Sequence, residues 1–421
     1  MSLNVNSPLS RWVSSLATIC GNAIVQAFSL ILFARTLGSA EYGVIVAAAA
    51  TSAVAAEFVG IGSGDLIIRE VSRNPEKFAA SFGHALRMVA VTFVPVALIA
   101  TLVTALWFST DVTVGVIFVL IVGEILTTRI VFMSEQVAIA HHATHVANLV
   151  RIFTAFIRLA IVCLAIFAAR VTNASAWAPF AAASGFLCAA GSLAFIIRRF
   201  GSPQLGGRQE GPSRLGLLFS FMQIIRATQF AIDKFAVGSV AGAAVVGSYG
   251  AASRVAQLGV MPASAVTRIT YPMFFARGAE GLHSGIQFAR RIAPAVLGLG
   301  LLSTIGLIAV AVALPYLLGP EFEAAKEFLL MLAILPVVTV LQNLFGDTLT
   351  GADLQSRRVV AALVGLGLTI ACAAAGALLA GVSGAIVGYI AGQICVTAAL
   401  GLTLLVSARQ LAPVGPASAQ P

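Results

Sequence analysis

The sequence predicts an all-α polytopic membrane protein with about twelve transmembrane helices arranged as two six-helix lobes. Three observations lead there. Of 421 residues, 59% are hydrophobic and only 10% charged, against about a quarter charged in soluble domains. Apolar runs of the length that carries a helix across a bilayer, about 20 residues, follow one another from residue 13 to residue 407. A Gly-, Pro- and Arg-rich connection, RRFGSPQLGGRQEGPSR at 198–214, falls near the midpoint. The composition excludes a soluble multidomain protein.

The spans are expected at 13–34, 42–62, 86–108, 112–134, 146–169, 174–197, 215–238, 243–267, 291–314, 324–347, 358–380 and 383–407. The first follows a single Arg11 and is longer than a signal-peptide core, with no small-residue cleavage site after it, so a retained helix is expected. Spans seven and eight are separated only by GSVAGAAVVG, where Gly238, Gly242 and Gly247 make a turn credible. Pro95, Pro179, Pro262, Pro294 and Pro336 fall inside spans and are expected to kink them, which discriminates little among membrane proteins.

Basic residues set the expected orientation. Connections after even-numbered spans carry Arg69, Arg73, Lys77 and Arg87; Arg151; Arg198, Arg199, Arg208 and Arg214; Arg268, Arg277, Arg290 and Arg291; and Arg357 and Arg358. The opposite connections carry only Arg35, Arg170 and Lys326, beside Glu41, Asp111, Glu321, Glu323 and Glu327. The positive-inside rule then places both termini of this multi-pass protein in the cytoplasm. Because the basic residues fall between apolar runs, the net charge of +9 reads as topology and no nucleic-acid partner is expected.

The midpoint connection divides the chain into a lobe over 1–200, a cytoplasmic linker over 201–214, and a lobe over 215–421 that ends in a short cytoplasmic tail. LGSAEYG at 37–43 and VVGSYG at 245–250 enter the second span of each half, and their Tyr-Gly pairs lie 207 residues apart. An even number of spans per half makes the repeat parallel, a pseudo-twofold about the membrane normal.

Charges inside the spans are the chemical signal. A charged residue at the bilayer centre costs about 2.5–3.5 kcal/mol on insertion scales. Arg151, Thr154 and Arg158 share one helical face, and so do Arg226, Gln229 and Asp233. Arg129, Lys234 and Arg254 add cations, Glu57, Glu124 and Asp347 add carboxylates, and Gln257, Gln342 and Asn343 add polar groups. Two readings compete: ion pairs that only neutralise one another, or a polar cavity whose guanidinium groups take an anionic headgroup bidentately. On the second reading Arg158, Arg226, Lys234 and Arg254 are the headgroup candidates. Glu57, Glu124, Asp233 and Asp347 are then candidates for ion or proton coupling.

No cofactor or metal is expected. His141, His142 and His145 form the one histidine cluster, and without a third ligand type they read as an interfacial polar cap. GIGSGD at 60–65 lacks the GK[ST] of a phosphate-binding loop. Cys20, Cys163, Cys188, Cys372 and Cys395 lie in apolar runs and read as packing. Gly384, Gly388 and Gly392 recur every fourth residue, a face that lets helices approach closely.

With Arg35-Thr36-Leu37-Gly38 and Tyr42-Gly43, then Asp233-Lys234, Val246-Gly247-Ser248-Tyr249-Gly250, Ala252, Arg254 and Pro272, the chain resembles a known family. This is the polysaccharide transporter (lipid-linked oligosaccharide flippase) family of the multidrug/oligosaccharidyl-lipid/polysaccharide (MOP) exporter superfamily. The resemblance implies two lobes forming a V around a cationic cavity, and alternating access that moves undecaprenyl-pyrophosphate-linked repeat units for O-antigen, capsule or exopolysaccharide assembly. It implies a bacterial transporter rather than an enzyme, working in the lipid bilayer with a polysaccharide polymerase and a chain-length regulator as partners. No sugar-contact residue is carried over, and the four headgroup cations rest on their positions in this sequence.

Two other functions remain in view. A drug or cation antiporter of the same superfamily would be expected to have an acidic cavity, whereas the deep cations Arg129, Arg158, Arg226, Lys234 and Arg254 outnumber the four deep carboxylates by one. A membrane glycosyltransferase or polysaccharide ligase would need a sizeable outer loop with catalytic carboxylates or histidine, and no outward connection exceeds about a dozen residues.

Overall fold

The computed structural model describes residues 8–108, 111–206 and 214–411; Arg208 and the remainder of linker positions 207–213 lie outside them. Every regular element among the described residues is helical. The main helices are α1 (Pro8–Ala55), α2 (Ser63–Arg73), α3 (Phe78–Trp107), α4 (Val114–Ala140), α5 (Thr144–Cys163), α6 (Ala174–Phe200), α7 (Arg214–Gly238), α8 (Ala243–Gly278), α9 (Leu282–Leu318), α10 (Glu323–Leu332), α11 (Leu335–Gly351) and α12 (Gln355–Gln410). This is the all-α polytopic membrane protein expected.

Eight helical stretches of the described chain are long and apolar enough to cross a membrane. The difference from twelve has two causes. Helices α1 and α12 each run through two of the expected spans, with the chain turning at Gly38 (φ 75°, ψ 175°) in one and at Ala380–Gly381 in the other. Helices α7 and α8, of 25 and 36 residues, are long enough but are not among the eight.

The described chain forms two compact units, one of Met1–Ala251 with Leu314–Lys326 and one of Ala252–Ala313 with Glu327–Pro421. In the first, α4 is central, packed by α1, α2, α3, α5 and α6. A helix without an apolar stripe, hydrophobic all round, is suited to that position, and Ile117, Ile121, Ile125 and Val137 of α4 are fully buried. Small residues set its closest crossing. A Cβ on Gly123 would lie 2.6 Å from the carbonyl oxygen of Ala181 in α6, and one on Gly185 would overlap the carbonyl oxygen of Gly123.

The repeat is visible where α1 crosses α8. A Cβ on Gly43 would overlap the carbonyl oxygen of Ala243, one on Gly247 would overlap that of Ser39, and one on Gly250 would strike Val46. Exchanging each residue for the one 204 positions away maps this set of contacts onto itself. The structural equivalent of Gly43 is therefore Gly247, three residues before the glycine paired with it by the Tyr-Gly dipeptides.

Beside this crossing, α1 is clasped by chain from far along the sequence. Arg35 donates from Nε to the carbonyl of Leu317 and from Nη2 to that of Tyr316, each at 2.8 Å, and so occupies acceptors at the C-terminal end of α9. Glu321 Oε2 accepts the backbone N–H of Ser39 at 3.0 Å, where the helix resumes after Gly38, and Tyr42 meets Phe322 edge-on. Each side thus caps the other's helix end. The Arg35 side chain is exposed, so Arg35→Ala is expected to cost only about 1 kcal/mol, read as a fall of a few degrees in the melting temperature of purified protein.

In the second unit α12 folds back on itself, with Gly376 against Gly384, Gly388 against the Cys372 carbonyl and Gly392 against Thr369. The every-fourth glycine face is the contact between its two arms. Large apolar side chains lie exposed along α3, α9 and α12, among them Leu106, Leu302 and Leu379. Apolar surface of that extent suits lipid rather than water.

Candidate functional site

The charges of the first unit gather where α1 stops. After Ala55 a short turn carries Glu57, and the chain then reverses through Gly60, Ile61 and Gly62, all at positive φ, before α2 begins. Glycine takes such φ values without the Cβ penalty. This reversal brings Glu57 to α4, where Arg129 Nη1 lies 3.6 Å from Glu57 Oε2. The Arg129 side chain is only 5% exposed. Its Cζ stands 5.8 Å above the Phe132 ring, and its Nε is buried without a hydrogen-bond partner.

Two more pairs continue the cluster. Arg151 Nε donates to Glu135 Oε1 at 3.1 Å and its Nη2 donates to Glu135 Oε2, a bidentate pair. Arg158 Nη2 donates to Glu124 Oε1 at 2.6 Å. Glu57, Arg129, Glu135 and Arg158, with Thr128 and Phe132, help line a cavity of about 240 Å³. Asp65, at the start of α2, has its carboxyl pushed up by burial, against the pull of Arg129, Arg226 and a hydrogen bond from Gln223. Arg226 itself is exposed on α7.

A separate group in the same unit ties α7 to α8. Lys234 Nζ donates to both carboxylate oxygens of Asp233, at 2.9 and 2.8 Å, and to the Phe230 carbonyl. Tyr249 donates its hydroxyl to Asp233 Oδ2 at 2.9 Å. Asp233 and Tyr249 are both buried.

In the second unit Asp347 lies 3.5 Å from Arg358 Nη1, and the same nitrogen donates to Thr350 Oγ1 at 2.6 Å. Gln342 Nε2 donates to the backbone carbonyl and side-chain oxygen of Gln393, and Asn343 donates to Thr267 Oγ1. Arg254 is exposed on the part of α8 that belongs to this unit.

A family model described as polysaccharide biosynthesis protein matches residues 9–276. The chain belongs to that family. No curated protein matches it significantly. Among solved structures, this polysaccharide biosynthesis family member is similar to the lipid II flippase MurJ in an inward closed conformation, with a TM-score of 0.72 at 13% identity over 94% of this chain and 87% of that one. It is similar also to an inward-facing multidrug-resistance MATE transporter of the MOP superfamily, with a TM-score of 0.68 at 15% identity over 94% of both chains. The Vibrio cholerae MATE transporter VcmN in its bent form matches at a TM-score of 0.57 and 16% identity, over 94% of this chain and 98% of that one. The fold is that of MOP-type transporters.

The structure thus gives most of the charged residues singled out in the family member's sequence a partner. Arg158 meets Glu124, Lys234 meets Asp233, and Asp347 meets Arg358. Arg158 and Glu57 share one cavity lining, while Lys234 belongs to the α7–α8 group and Arg254 to the second unit. Three participants were missed as site residues. In sequence Arg129 is one deep cation among five, Arg358 reads as a topology signal, and no motif marks Glu135. The sixteen-residue separation of Glu135 and Arg151 across the α4–α5 turn was the signal for the last. His141 stacks on Phe200 at 4.4 Å and sits edge-on to Phe78, and among the described residues no group of three His, Cys, Asp or Glu side chains is placed to hold a metal.

Proposed function

We propose that the protein is a flippase that carries undecaprenyl-pyrophosphate-linked oligosaccharide repeat units across the bacterial inner membrane for O-antigen, capsule or exopolysaccharide assembly. On this reading both termini are cytoplasmic, and lobes 1–200 and 215–421, joined by the linker 201–214, alternate access to the two sides. The observation that carries it is a polysaccharide biosynthesis family member keeping arginines and carboxylates among helices fit for lipid, around the cavity lined by Arg129 and Arg158. Keeping several charges at membrane depth is costly unless they serve a polar path. The cations Arg158, Arg226, Lys234 and Arg254 take the pyrophosphate, and Glu57, Glu124, Asp233 and Asp347 serve as ion- or proton-coupling groups. A polysaccharide polymerase and a chain-length regulator receive the product, and the protein itself makes no bond.

The MATE likeness favours a second reading, a cation-coupled drug antiporter. Polymer synthesis in a flippase-null host separates the two. Alanine at Arg158, Arg226, Lys234 and Arg254 singly is expected to abolish polymer while leaving protein in the membrane. Full polymer production by all four variants would remove the headgroup assignment, and transport of a cationic dye by reconstituted protein without any lipid-linked cargo would favour the antiporter. Bond formation between donor and acceptor by purified protein would revive a glycosyltransferase or ligase.

A further inference from the structure

The cavity beside α4 has a chemistry that the headgroup assignment does not use. Its lining holds two carboxylates, Glu57 and Glu135, and two guanidinium groups, Arg129 and Arg158, so its formal charge is balanced. A phosphate site concentrates positive charge, as bidentate arginine sites do. A balanced lining instead offers acceptors and donors side by side, which is what a hydroxyl, at once donor and acceptor, needs. The groups have capacity left. Glu57 and Arg129 stand 3.6 Å apart, beyond hydrogen-bonding distance for a nitrogen and an oxygen. Arg158 contacts Glu124 through Nη2, and each carboxylate oxygen of Glu135 takes one N–H of Arg151 out of the two lone pairs it offers.

Size narrows the ligand. About 240 Å³ falls below the roughly 300–1,000 Å³ of sites for drug-sized molecules. A space below that range suits a small polar group such as a single sugar ring better than a chain of rings. Phe132 adds an apolar ring to the wall, and the exposed Thr128 adds a hydroxyl.

Resting on the flippase reading, we propose that this cavity is the subsite for a single uncharged sugar ring of the cargo, with Glu57 and Glu135 accepting its hydroxyls and Arg129 donating to them. It selects the sugar; of the four headgroup cations Arg158 alone borders it, and Arg226, Lys234 and Arg254 lie outside its lining. Arg129 suits the role because its buried guanidinium holds five donors in a fixed plane and is tied by one loose ion pair.

The test measures binding of two probes by purified full-length protein in micelles: a bare polyprenyl diphosphate, and the same lipid bearing one neutral hexose. The wild type is expected to bind the hexose-bearing lipid more tightly. Glu135→Gln is expected to weaken that lipid about tenfold, the loss typical of a hydrogen bond to a charged group, while leaving the bare lipid unchanged. Thr128→Phe, which fills the cavity without altering charge, is expected to abolish the preference and to keep bare-lipid binding, and melting curves confirm that each variant is folded. Equal wild-type affinity for both lipids would overturn the sugar subsite while leaving the flippase reading in place. An equal loss for both lipids in Glu135→Gln would overturn it too, by assigning the cavity to phosphate. Failure of the wild type to bind either lipid would instead remove the flippase reading, and the subsite with it.

Discussion

Gly43→Leu is expected to leave no correctly folded protein. The Cβ alone would overlap the carbonyl oxygen of Ala243, and backbone cannot swing aside as the end of a flexible side chain does. To make room, α1 and α8 would have to separate along the crossing that also places Gly247 on Ser39 and Gly250 on Val46. Overpacking in a core commonly costs about 1–3 kcal/mol where neighbours can shift; here helix must part from helix, and the loss is expected to exceed that range. Gly247→Leu should behave alike, since the contact is reciprocal. Gly298→Leu is the control, because no atom lies near the added Cβ and no unusual φ is required there. Size-exclusion profiles of fluorescent fusions check this: the first two variants lose the monodisperse peak and the third keeps it. A monodisperse peak for Gly43→Leu would mean that the crossing is not a fixed contact.

Glu57→Ala is expected to be the more damaging half of the Glu57–Arg129 pair. Removing one member of a buried ion pair costs about 3–5 kcal/mol, because the other charge is left uncompensated. The asymmetry comes from chemistry. Arginine cannot shed its proton, and the Arg129 side chain is 5% exposed, whereas Glu57 is 22% exposed and can be neutralised by protonation when left alone. Asp65, near Arg129, supplies part of the compensation and keeps the loss toward the lower end. The double change Glu57→Ala with Arg129→Met, which removes both charges, should recover most of the stability. Thermal unfolding of the three variants in one detergent tests the ordering, and a double variant no more stable than Glu57→Ala would show that the two side chains are not coupled.

The spans were legible because lipid imposes a length and a composition on any segment that crosses it, and both are local properties of sequence. The bend at Gly38 and the fold-back at Gly381 fell between expected spans for the same reason. The repeat was legible in outline but not in register. Tyr42-Gly43 resembles Tyr249-Gly250 in letters, but the steric requirement for a bare backbone falls on Gly43 and Gly247. The partners of charges were the least legible part. Arg358 sits at the start of α12, where a basic residue serves equally as a topology signal, and only the packing of α11 on α12 brings it to Asp347. Arg129 was seen as a charge in a span, but its place beside Glu57 depends on the chain reversal at Gly60–Gly62, a feature of backbone φ rather than of polarity. No periodicity or motif announces a contact such as Arg35 with Leu317.

That contact orders events during synthesis. Residues 35–39 exchange helix-end hydrogen bonds with residues 316–321, which leave the ribosome about 280 residues later. At 5–20 residues per second the wait is about 14–56 seconds. Through that interval the first helices sit in the membrane with the amide of Ser39 and the guanidinium of Arg35 lacking their final partners. A nascent chain halted anywhere before residue 316 would therefore hold α1 in an unfinished form, open to the quality-control proteases of the membrane, and maturation of the N-terminal helices would be timed by translation of the second half.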